Sequence, residues 1–344
     1  KLGPKGDGIA QGTRGPIFVE RSVPLDKLNL RIFKDKEGIT RGQILKIISP
    51  SPYRQDPPCP HFDSCGNCTL QHLSQDFYKH WKAEVVKEAF SKNGLRPQKW
   101  LPPIFLGGHN RRRVTFTALK HRGKIKVGYY QRRSKEIFDL KSCEVIHPKL
   151  LELKNQLISL FPLILQDGKP IDIFVQWVNG SIDMVLSGPL GKSGKPEAKL
   201  VSVLKDFLET SPVARVSWRT DEKTEVLFRS SAFEASFGRL TVSLPPAAFL
   251  QPTEEGEAAL VKAVMNGLPS KGKFADLFSG CGTFSGPMLD RGTVDAFESL
   301  APAVKSLSNA IGKNPLKVFR RDLFKNPVRH QDLNRFDAIV FDPP

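Results

Sequence analysis

From residue 253 onward the sequence alternates between short apolar runs and helical stretches, and this rhythm constrains the fold more than any other feature. Strands are predicted at residues 274–278, 294–297, 316–319 and 338–341, and helices separate the first three. Thr253, followed by Glu254, Glu255 and Glu257, has the pattern of a capped and charged helix start. Alternation of strands and helices predicts a parallel, doubly wound sheet of the α/β class.

A glycine-rich turn follows the first of these strands. The run D-L-F-S-G-C-G-T-F at residues 276–284 leaves a strand and enters a helix, so its glycines let backbone approach a ligand at a helix N-terminus. Glu298 ends the next strand, where a carboxylate can accept hydrogen bonds from a ribose diol. Asp322 and Asp342 follow later strands at the same predicted edge, where open α/β sheets bind ligands. The sequence therefore predicts a nucleoside site at this edge.

The charge balance favours a polyanionic partner. The 344 residues include 52 Lys and Arg against 35 Asp and Glu, a formal net charge of +17. Residues 89–135 contain no acid, and Phe116, Tyr129 and Tyr130 are interleaved with basic side chains there. The basic residues are Lys92, Arg96, Lys99, Arg111, Arg112, Arg113, Lys120, Arg122, Lys124, Lys126, Arg132, Arg133 and Lys135. Phosphate neutralisation combined with stacking predicts contact with RNA single strands and loops.

Three of the five cysteines lie within ten residues, in a C-x5-C-x2-C pattern. Cys59, Cys65 and Cys68 suit a tetrahedral metal site, and Cys143 is the candidate for the fourth ligand. Chemistry alone does not decide between zinc and an iron–sulfur cluster. An odd number of clustered cysteines, without a signal peptide or a long apolar run, predicts a soluble protein of a reducing compartment, which is the cytoplasm.

The sequence divides into three predicted domains. Residues 1–50 read as short strands of a small β-barrel, residues 51–240 as a sheet-rich α+β central domain, and residues 241–344 as the ligand-binding α/β domain. In the central domain an amphipathic helix is predicted between Ser74 and Gly94. The chain begins at Lys1 and stops at Pro344 directly after a buried strand, so we expect it to be a C-terminally truncated fragment.

Three segments resemble the S-adenosylmethionine-dependent RNA uridine-C5 methyltransferases, in particular those similar to the bacterial 23S ribosomal RNA enzymes. Residues 246–251 are similar to the F-x-Q stretch of that family, residues 276–284 to its D-L-F-C-G-x-G-x-F, and residues 336–344 to its F-D-x-V-x-x-D-P-P. Two departures are Pro252-Thr253, where Asn is common, and Ser279, where Cys is usual. The resemblance implies a Rossmann-like methyltransferase domain and an OB- or TRAM-like RNA-binding barrel at the N-terminus.

The resemblance also implies roles for individual residues. Phe249 is implied near the target uracil, while Gln251 and Asp342 orient substrate and methyl donor as supporting catalytic residues. The four predicted metal ligands, Cys59, Cys65, Cys68 and Cys143, are implied to hold a 4Fe-4S cluster. Cys281 is read as a small packing residue. The implied S-adenosylmethionine contacts are Gln251, Phe278, Thr283, Glu298, Asp322 and Asp342.

The implied activity is methylation of carbon 5 of a uridine in structured RNA through a covalent cysteine–uracil adduct, a transferase of class EC 2.1.1. The family's nucleophile and general base fall beyond residue 344, so residues 1–344 alone are expected to be inactive. Ribosomal RNA is the favoured substrate. A transfer RNA enzyme of the same family is one alternative, and a non-catalytic iron–sulfur or zinc RNA-binding protein is another. We expect a monomer without membrane association.

Overall fold

The computed structural model describes residues 1–191, 194–196, 198–209, 211–221 and 223–344. The chain forms two compact units. The first contains residues 1–105 and 129–138, and the second contains residues 106–128 and 139–344. The three-domain division at residues 50 and 240 stays a prediction.

A four-stranded sheet begins the first unit. Its strands are β1 (Gly8–Gly12), β2 (Gly15–Val19), β3 (Lys27–Lys34) and β4 (Thr40–Ser49). Their order is β1-β2-β4-β3, with β2 and β4 parallel and the other neighbours antiparallel. These are short strands within residues 1–50, as the sequence predicts. The pairings recorded for the described residues do not close this sheet, so the predicted barrel is not confirmed.

Helix α1 (Gln75–Lys92) begins after Ser74, as predicted. The Ser74 side chain makes no capping hydrogen bond, and the helix ends just before Gly94, whose φ of +68° suits a glycine. Of the apolar stripe along α1, Trp81 alone is buried, at 8% exposure. The helix therefore packs through a narrow face.

A mixed seven-stranded sheet forms the middle of the chain. It has the order β11-β10-β9-β8-β5-β6-β7, in which β9 and β10 are parallel. The strands are β5 (Arg113–His121), β6 (Lys124–Tyr130), β7 (Ile137–Asp139), β8 (Ile171–Val178), β9 (Ser181–Ser187), β10 (Val213–Arg219) and β11 (Thr224–Arg229). The helices are α2 (Pro148–Leu157), α3 (Phe161–Ile164) and α4 (Ala198–Glu209). The sheet-rich middle of the prediction is confirmed.

An antiparallel hairpin precedes a four-stranded parallel sheet in the second unit. The hairpin is β12 (Glu234–Phe237) with β13 (Leu240–Ser243), and the sheet has the order β16-β15-β14-β17. The sheet strands are β14 (Gly272–Leu277), β15 (Gly292–Glu298), β16 (Leu316–Arg320) and β17 (Ala338–Phe341). The helices are α5 (Glu254–Gly267), α6 (Ser285–Met288), α7 (Ala301–Asn309) and α8 (His330–Leu333). The predicted parallel doubly wound sheet is confirmed.

The core of this sheet has two faces. Phe274, Val294 and Leu316 pack with Leu307 of α7 and with the β12–β13 hairpin on one side, whereas Ala275 and Phe297 pack with Leu323 on the other. Because β14 pairs with both β15 and β17, the strand order reverses beside β14, and ligands bind at such a point in open α/β sheets. Among the residues described, no helix combines the length and apolar character needed to cross a membrane.

Candidate functional site

The glycine-rich turn follows the carboxyl end of β14, and three of its residues have a left-handed backbone conformation. Phe278, Gly280 and Gly282 have φ values of +65°, +55° and +97°. A side-chain carbon added at Gly280 would meet no atom within 4 Å, whereas one at Gly282 would lie 2.7 Å from Leu307. The turn is therefore packed against α7 at Gly282 and open at Gly280. Open backbone at a strand end, carrying glycine, can approach a ligand closely.

Glu298 fixes this turn from the end of β15. Its Oε2 accepts a hydrogen bond from the Gly280 backbone N–H at 2.9 Å. Its Oε1 accepts from the backbone N–H groups of Ser299 and Leu300 at 2.7 and 2.8 Å. Glu298 is 8% exposed. The three backbone N–H donors fix the orientation of its carboxylate at the edge of the sheet. Each carboxylate oxygen can accept more than one hydrogen bond, which leaves acceptor capacity for a ribose diol.

Asp276 lies beneath the turn and was not predicted as a site residue. Its side chain is buried, and the Ser285 hydroxyl donates to its Oδ2 at 2.5 Å. Burial raises the pKa of Asp276 to about 7, the Ser285 hydrogen bonds oppose this, and the charges of Asp342 and Glu298 add to it. An acidic residue within an otherwise apolar strand, Phe274-Ala275-Asp276-Leu277, was the signal that could have identified it.

Gln251 and Asp342 meet although they are 91 residues apart. The Gln251 side-chain amide donates to Asp342 Oδ2 at 3.1 Å. Arg112 holds the backbone beside them: its Nε donates to the Gln251 carbonyl at 3.0 Å and its backbone N–H to the Pro252 carbonyl at 2.8 Å. The structure therefore joins two of the predicted orienting residues. At Pro252, where the sequence departs from the family pattern, the backbone carbonyl accepts the hydrogen bond from Arg112.

Phe249 is exposed beside a cation. Its side chain is 58% exposed, and the Arg113 guanidinium lies 4.1 Å from the ring centroid, within the range of a cation–π contact. Burial lowers the pKa of Arg113, and the nearby Arg111 and Arg112 lower it further. An exposed aromatic face at this place is suited to stacking on a base.

The remaining predicted contacts lie along the same edge. Asp322 follows β16, and its Oδ1 accepts from the backbone N–H groups of Phe324 and Lys325 at 3.1 and 3.2 Å. The Phe278 ring contacts the Phe324 ring with centroids 5.2 Å apart. Thr283 lies half-buried in the glycine-rich turn. The hydrogen bond of Gln251 with Asp342 connects the segment after β13 to the end of β17, and that of Glu298 with Gly280 connects β15 to the glycine-rich turn.

The basic segment is only partly available to RNA. In the second unit Lys124 and Lys126 are exposed on β6 and Arg122 lies in the adjoining turn. Arg112 is 5% exposed and pairs with Glu257 at 2.6 Å. Its guanidinium also donates to the Gln251 carbonyl, so it does not face solvent and is not available to RNA. Phe116 is 1% exposed in the core, so its predicted place in a stacking surface was wrong.

In the first unit the basic side chains have protein partners as well. Arg133 pairs with Glu20 at 2.7 Å, and Arg132 donates to the Cys68 carbonyl at 2.7 Å. Tyr130 keeps 44% of its side chain exposed and is available for stacking. The cationic surface predicted from residues 89–135 is therefore smaller than the count of basic residues suggested.

The cysteine loop has a defined backbone. Cys65 is buried and pairs through a β-bridge with Gln131, and the Gly66 backbone N–H donates to the Tyr130 carbonyl at 3.1 Å. Cys143 belongs to the second unit. Throughout the described ranges no group of three or more His, Cys, Asp or Glu side chains is arranged to hold a metal ion. The structure thus gives no support to the predicted 4Fe-4S cluster at Cys59, Cys65, Cys68 and Cys143.

Comparisons with known proteins agree with this geometry. A protein of Brucella suis described as an uncharacterized RNA methyltransferase is 31% identical over 350 residues, which cover 100% of this chain and 80% of that protein. A Rhizobium meliloti protein of the same description is 32% identical over 354 residues, covering 100% and 82%. The Nitrosococcus oceani 23S rRNA (uracil(1939)-C(5))-methyltransferase RlmD is 26% identical over 298 residues, covering 83% and 65%. No protein-family model matches the chain.

A solved structure shows the same fold. The Pyrococcus abyssi tRNA (uracil-54, C5)-methyltransferase, in complex with S-adenosyl-L-homocysteine, aligns with a TM-score of 0.71 and 19% identity over 100% of this chain and 82% of that one. The parallel sheet and its carboxyl edge therefore define the fold of S-adenosylmethionine-dependent methyltransferases. With relatives above 30% identity that cover its whole length, the chain belongs to the RNA methyltransferases.

Proposed function

We propose that this protein transfers a methyl group from S-adenosylmethionine to carbon 5 of a uridine in structured RNA, with 23S ribosomal RNA as the favoured substrate. The observation that carries the proposal is the edge that joins Glu298 to the glycine-rich turn and Gln251 to Asp342. One end of this edge offers acceptors for a ribose, and the other carries an exposed aromatic ring, Phe249, for a base.

The residues at the edge fit a sulfonium nucleoside. Gly280 leaves open space where a side chain would stand, and Glu298 keeps acceptor capacity beside it. S-adenosylmethionine supplies an electrophilic methyl group. Glu298 binds the ribose hydroxyls, Asp322 and Thr283 line the same edge, and Phe278 borders it. The carboxylates of Glu298, Asp322 and Asp342 stabilise the positive charge of the donor.

The uracil is bound on the other side of Gln251. A base flipped out of the RNA stacks on Phe249, and the Gln251 amide with the Asp342 carboxylate holds its polar edge toward the methyl donor. Removal of water and correct orientation bring carbon 5 to the donor carbon. The basic side chains on and beside β6, namely Arg122, Lys124 and Lys126, bind the RNA phosphates.

Carbon 5 of uracil becomes nucleophilic in this family when a thiolate adds to carbon 6 and generates an enolate. After carbon 5 has taken the methyl group, a general base removes the carbon 5 proton and the thiolate leaves carbon 6, which restores the uracil ring. Cys281 does not suit that role. Its side chain is 3% exposed, and burial, aided by the charge of Glu298, raises the pKa of its thiol to about 12, so it remains a protonated thiol at neutral pH. We therefore assign the nucleophile to no residue in this chain.

The four cysteines Cys59, Cys65, Cys68 and Cys143 remain our proposed ligands of a 4Fe-4S cluster. Thiolates are the ligands such clusters take, and the family resemblance favours iron–sulfur over zinc. The cluster has no part in the transfer step.

The substrate is tested by mapping 5-methyluridine in ribosomal and transfer RNA from a strain lacking the gene, complemented with wild type or with Gln251→Ala. We expect one uridine of 23S ribosomal RNA to lose its methyl group, to regain it with wild type and to stay unmodified with Gln251→Ala. Loss at a transfer RNA uridine would move the substrate to transfer RNA, which the Pyrococcus abyssi enzyme modifies. Loss at no site would overturn the proposal and favour a non-catalytic RNA-binding protein.

A further inference from the structure

Two opposite charges are buried inside the central sheet, below the segment that carries Phe249. Asp183 on β9 and Arg215 on β10 are register partners at a bulge, with 0% and 2% of their side chains exposed. Arg215 Nε donates to Asp183 Oδ1 at 2.7 Å. Burying two charges is costly, and apolar residues of similar volume often serve stability as well or better. The stability of the sheet alone is therefore a weak explanation for this pair.

The free sides of both groups bind the loop that follows β13. Arg215 Nη1 donates to the Leu244 carbonyl at 2.7 Å, and the Ala247 backbone N–H donates to Asp183 Oδ2 at 2.8 Å. Ala247 has a φ of +53°, a left-handed conformation that a residue other than glycine adopts when surrounding contacts impose it. The pair thus makes hydrogen bonds to both ends of the turn at residues 244–247.

The turn leads directly into the site. Phe249 lies two residues beyond Ala247 and has its ring exposed beside Arg113, and Gln251 lies four residues beyond and donates to Asp342. A change in the backbone direction at Ala247 would displace both side chains together. Among the described residues neither Asp183 nor Arg215 makes a hydrogen bond or ion pair with Glu298, Asp322 or Asp342, so an effect on the reaction passes through the turn.

We propose that Asp183 and Arg215 are positioning residues that hold Ala247 in its left-handed conformation and so aim Phe249 and Gln251 at the base and the methyl donor. This inference rests on the proposed function. It adds two residues that belong to a different domain of the sequence prediction from the site they serve.

The first test needs no activity. Amide hydrogen exchange of the full-length protein is measured for wild type, Asp183→Ala and Asp183→Asn, with Glu152→Ala as a control that removes an exposed ion pair with Lys149. We expect the Ala247 amide to exchange at least about tenfold faster in Asp183→Ala, because its hydrogen bond is lost. Asp183→Asn keeps an acceptor oxygen and should exchange at an intermediate rate. Unchanged exchange at Ala247 in a folded Asp183→Ala protein would overturn the inference.

The second test separates positioning from stability. In Asp183→Ala we expect kcat for methyl transfer to fall about tenfold to a hundredfold, as small misplacements near a reacting centre do. Adding Ala247→Gly should restore part of that kcat, since glycine adopts positive φ without a clamp. A pair that merely stabilised the sheet would give no such rescue, and that result would overturn the inference. If wild type itself transfers no methyl group, the proposed function fails. The exchange experiment would still show whether Asp183 and Arg215 hold Ala247 in its left-handed conformation.

Discussion

The side-chain amide of Gln251 donates to the carboxylate of Asp342 at 3.1 Å, which joins the segment after β13 to the end of β17. These residues are 91 positions apart in sequence. The contact places the end of an edge strand against the loop that presents Phe249. A base bound on Phe249 and a nucleoside bound along the strand ends would therefore meet at this pair.

Removing either partner should impair transfer more than binding. For Gln251→Ala and Asp342→Ala in the full-length protein we expect kcat to fall about a hundredfold, because the reacting groups lose their orientation. The double variant should lose less than the product of the two effects, as partners in one contact do. Steady-state kinetics on RNA substrate measure this, with the exposed Asp332→Asn as control. Unchanged turnover in Asp342→Ala would refute its role.

Glu298→Gln should weaken binding of the methyl donor. The substitution keeps one acceptor but loses the charge that three backbone N–H groups and the ribose diol are expected to favour. A hydrogen bond to a charged group contributes about 1.5 kcal/mol or more, so the Kd should rise about tenfold or more. Isothermal titration calorimetry with S-adenosylmethionine measures it. An unaltered Kd would remove Glu298 from the site.

The buried Asp276 should make stability depend on pH. Its pKa is about 7 in the folded protein, against the ordinary value of 3.8 for an aspartate in the unfolded chain. Between these values the folded state holds a proton that the unfolded state has released. The contribution of Asp276 to the free energy of unfolding should therefore be fully present below about pH 4 and should decline as pH rises from about 4 through about 7.

Asp276→Asn removes this titration and keeps an acceptor for Ser285. The free energy of unfolding of the variant relative to wild type should rise by a few kcal/mol between pH 4 and pH 8, since each pKa unit is worth about 1.4 kcal/mol. Urea unfolding across this range measures the difference, and Asp332→Asn serves as the matched control. A difference that stays constant with pH would show that Asp276 does not titrate there.

RNA binding should weaken as salt rises. On single strands the slope of log K against log salt is about −0.7 for each phosphate neutralised. Replacing both Lys124 and Lys126 with Ala should make that slope less steep by up to about 1.4. Filter binding at several salt concentrations measures it, and Lys325→Ala, an exposed lysine on the parallel-sheet domain, is the control. If binding is insensitive to salt, Lys124 and Lys126 of β6 do not neutralise RNA phosphates.

Anaerobically purified full-length protein should contain iron and acid-labile sulfide in equal amounts if the cysteines hold a 4Fe-4S cluster. Cys59→Ser or Cys143→Ser should lower both, whereas Cys281→Ser should leave them unchanged. Elemental analysis and visible absorption measure the outcome. Zinc without sulfide would replace the cluster with a structural zinc site.

Local patterns in the sequence predicted the parallel sheet well. Its strands contain short apolar runs, β15 ends at Glu298 and Asp342 directly follows β17. The helix after Thr253 has the cap its sequence indicates, since Thr253 Oγ1 accepts from the Gly256 N–H at 2.9 Å. Closure of the N-terminal strands into a barrel was not determined by such patterns, because strand spacing does not specify which edges pair.

The features that sequence reasoning missed depend on long-range contacts. Arg112 is in a run of three arginines that resembles a solvated face, yet it pairs with Glu257, 145 positions away. Asp183 lies between Ile182 and Met184, and Arg215 lies between Ala214 and Val216; a charge flanked by apolar residues within a strand was the available signal for a buried pair. The alternation of β5 likewise places Phe116 on the same face as Val114 and Ala118, which are core residues.

Methyl transfer to carbon 5 of uridine is tested by incubating the full-length protein with RNA and S-adenosylmethionine carrying a deuterated methyl group, followed by mass spectrometry of the nucleosides. We expect 5-methyluridine that carries the label with wild type and much less of it with Gln251→Ala. Label on another nucleoside, or no label in RNA that contains the unmodified site, would contradict it.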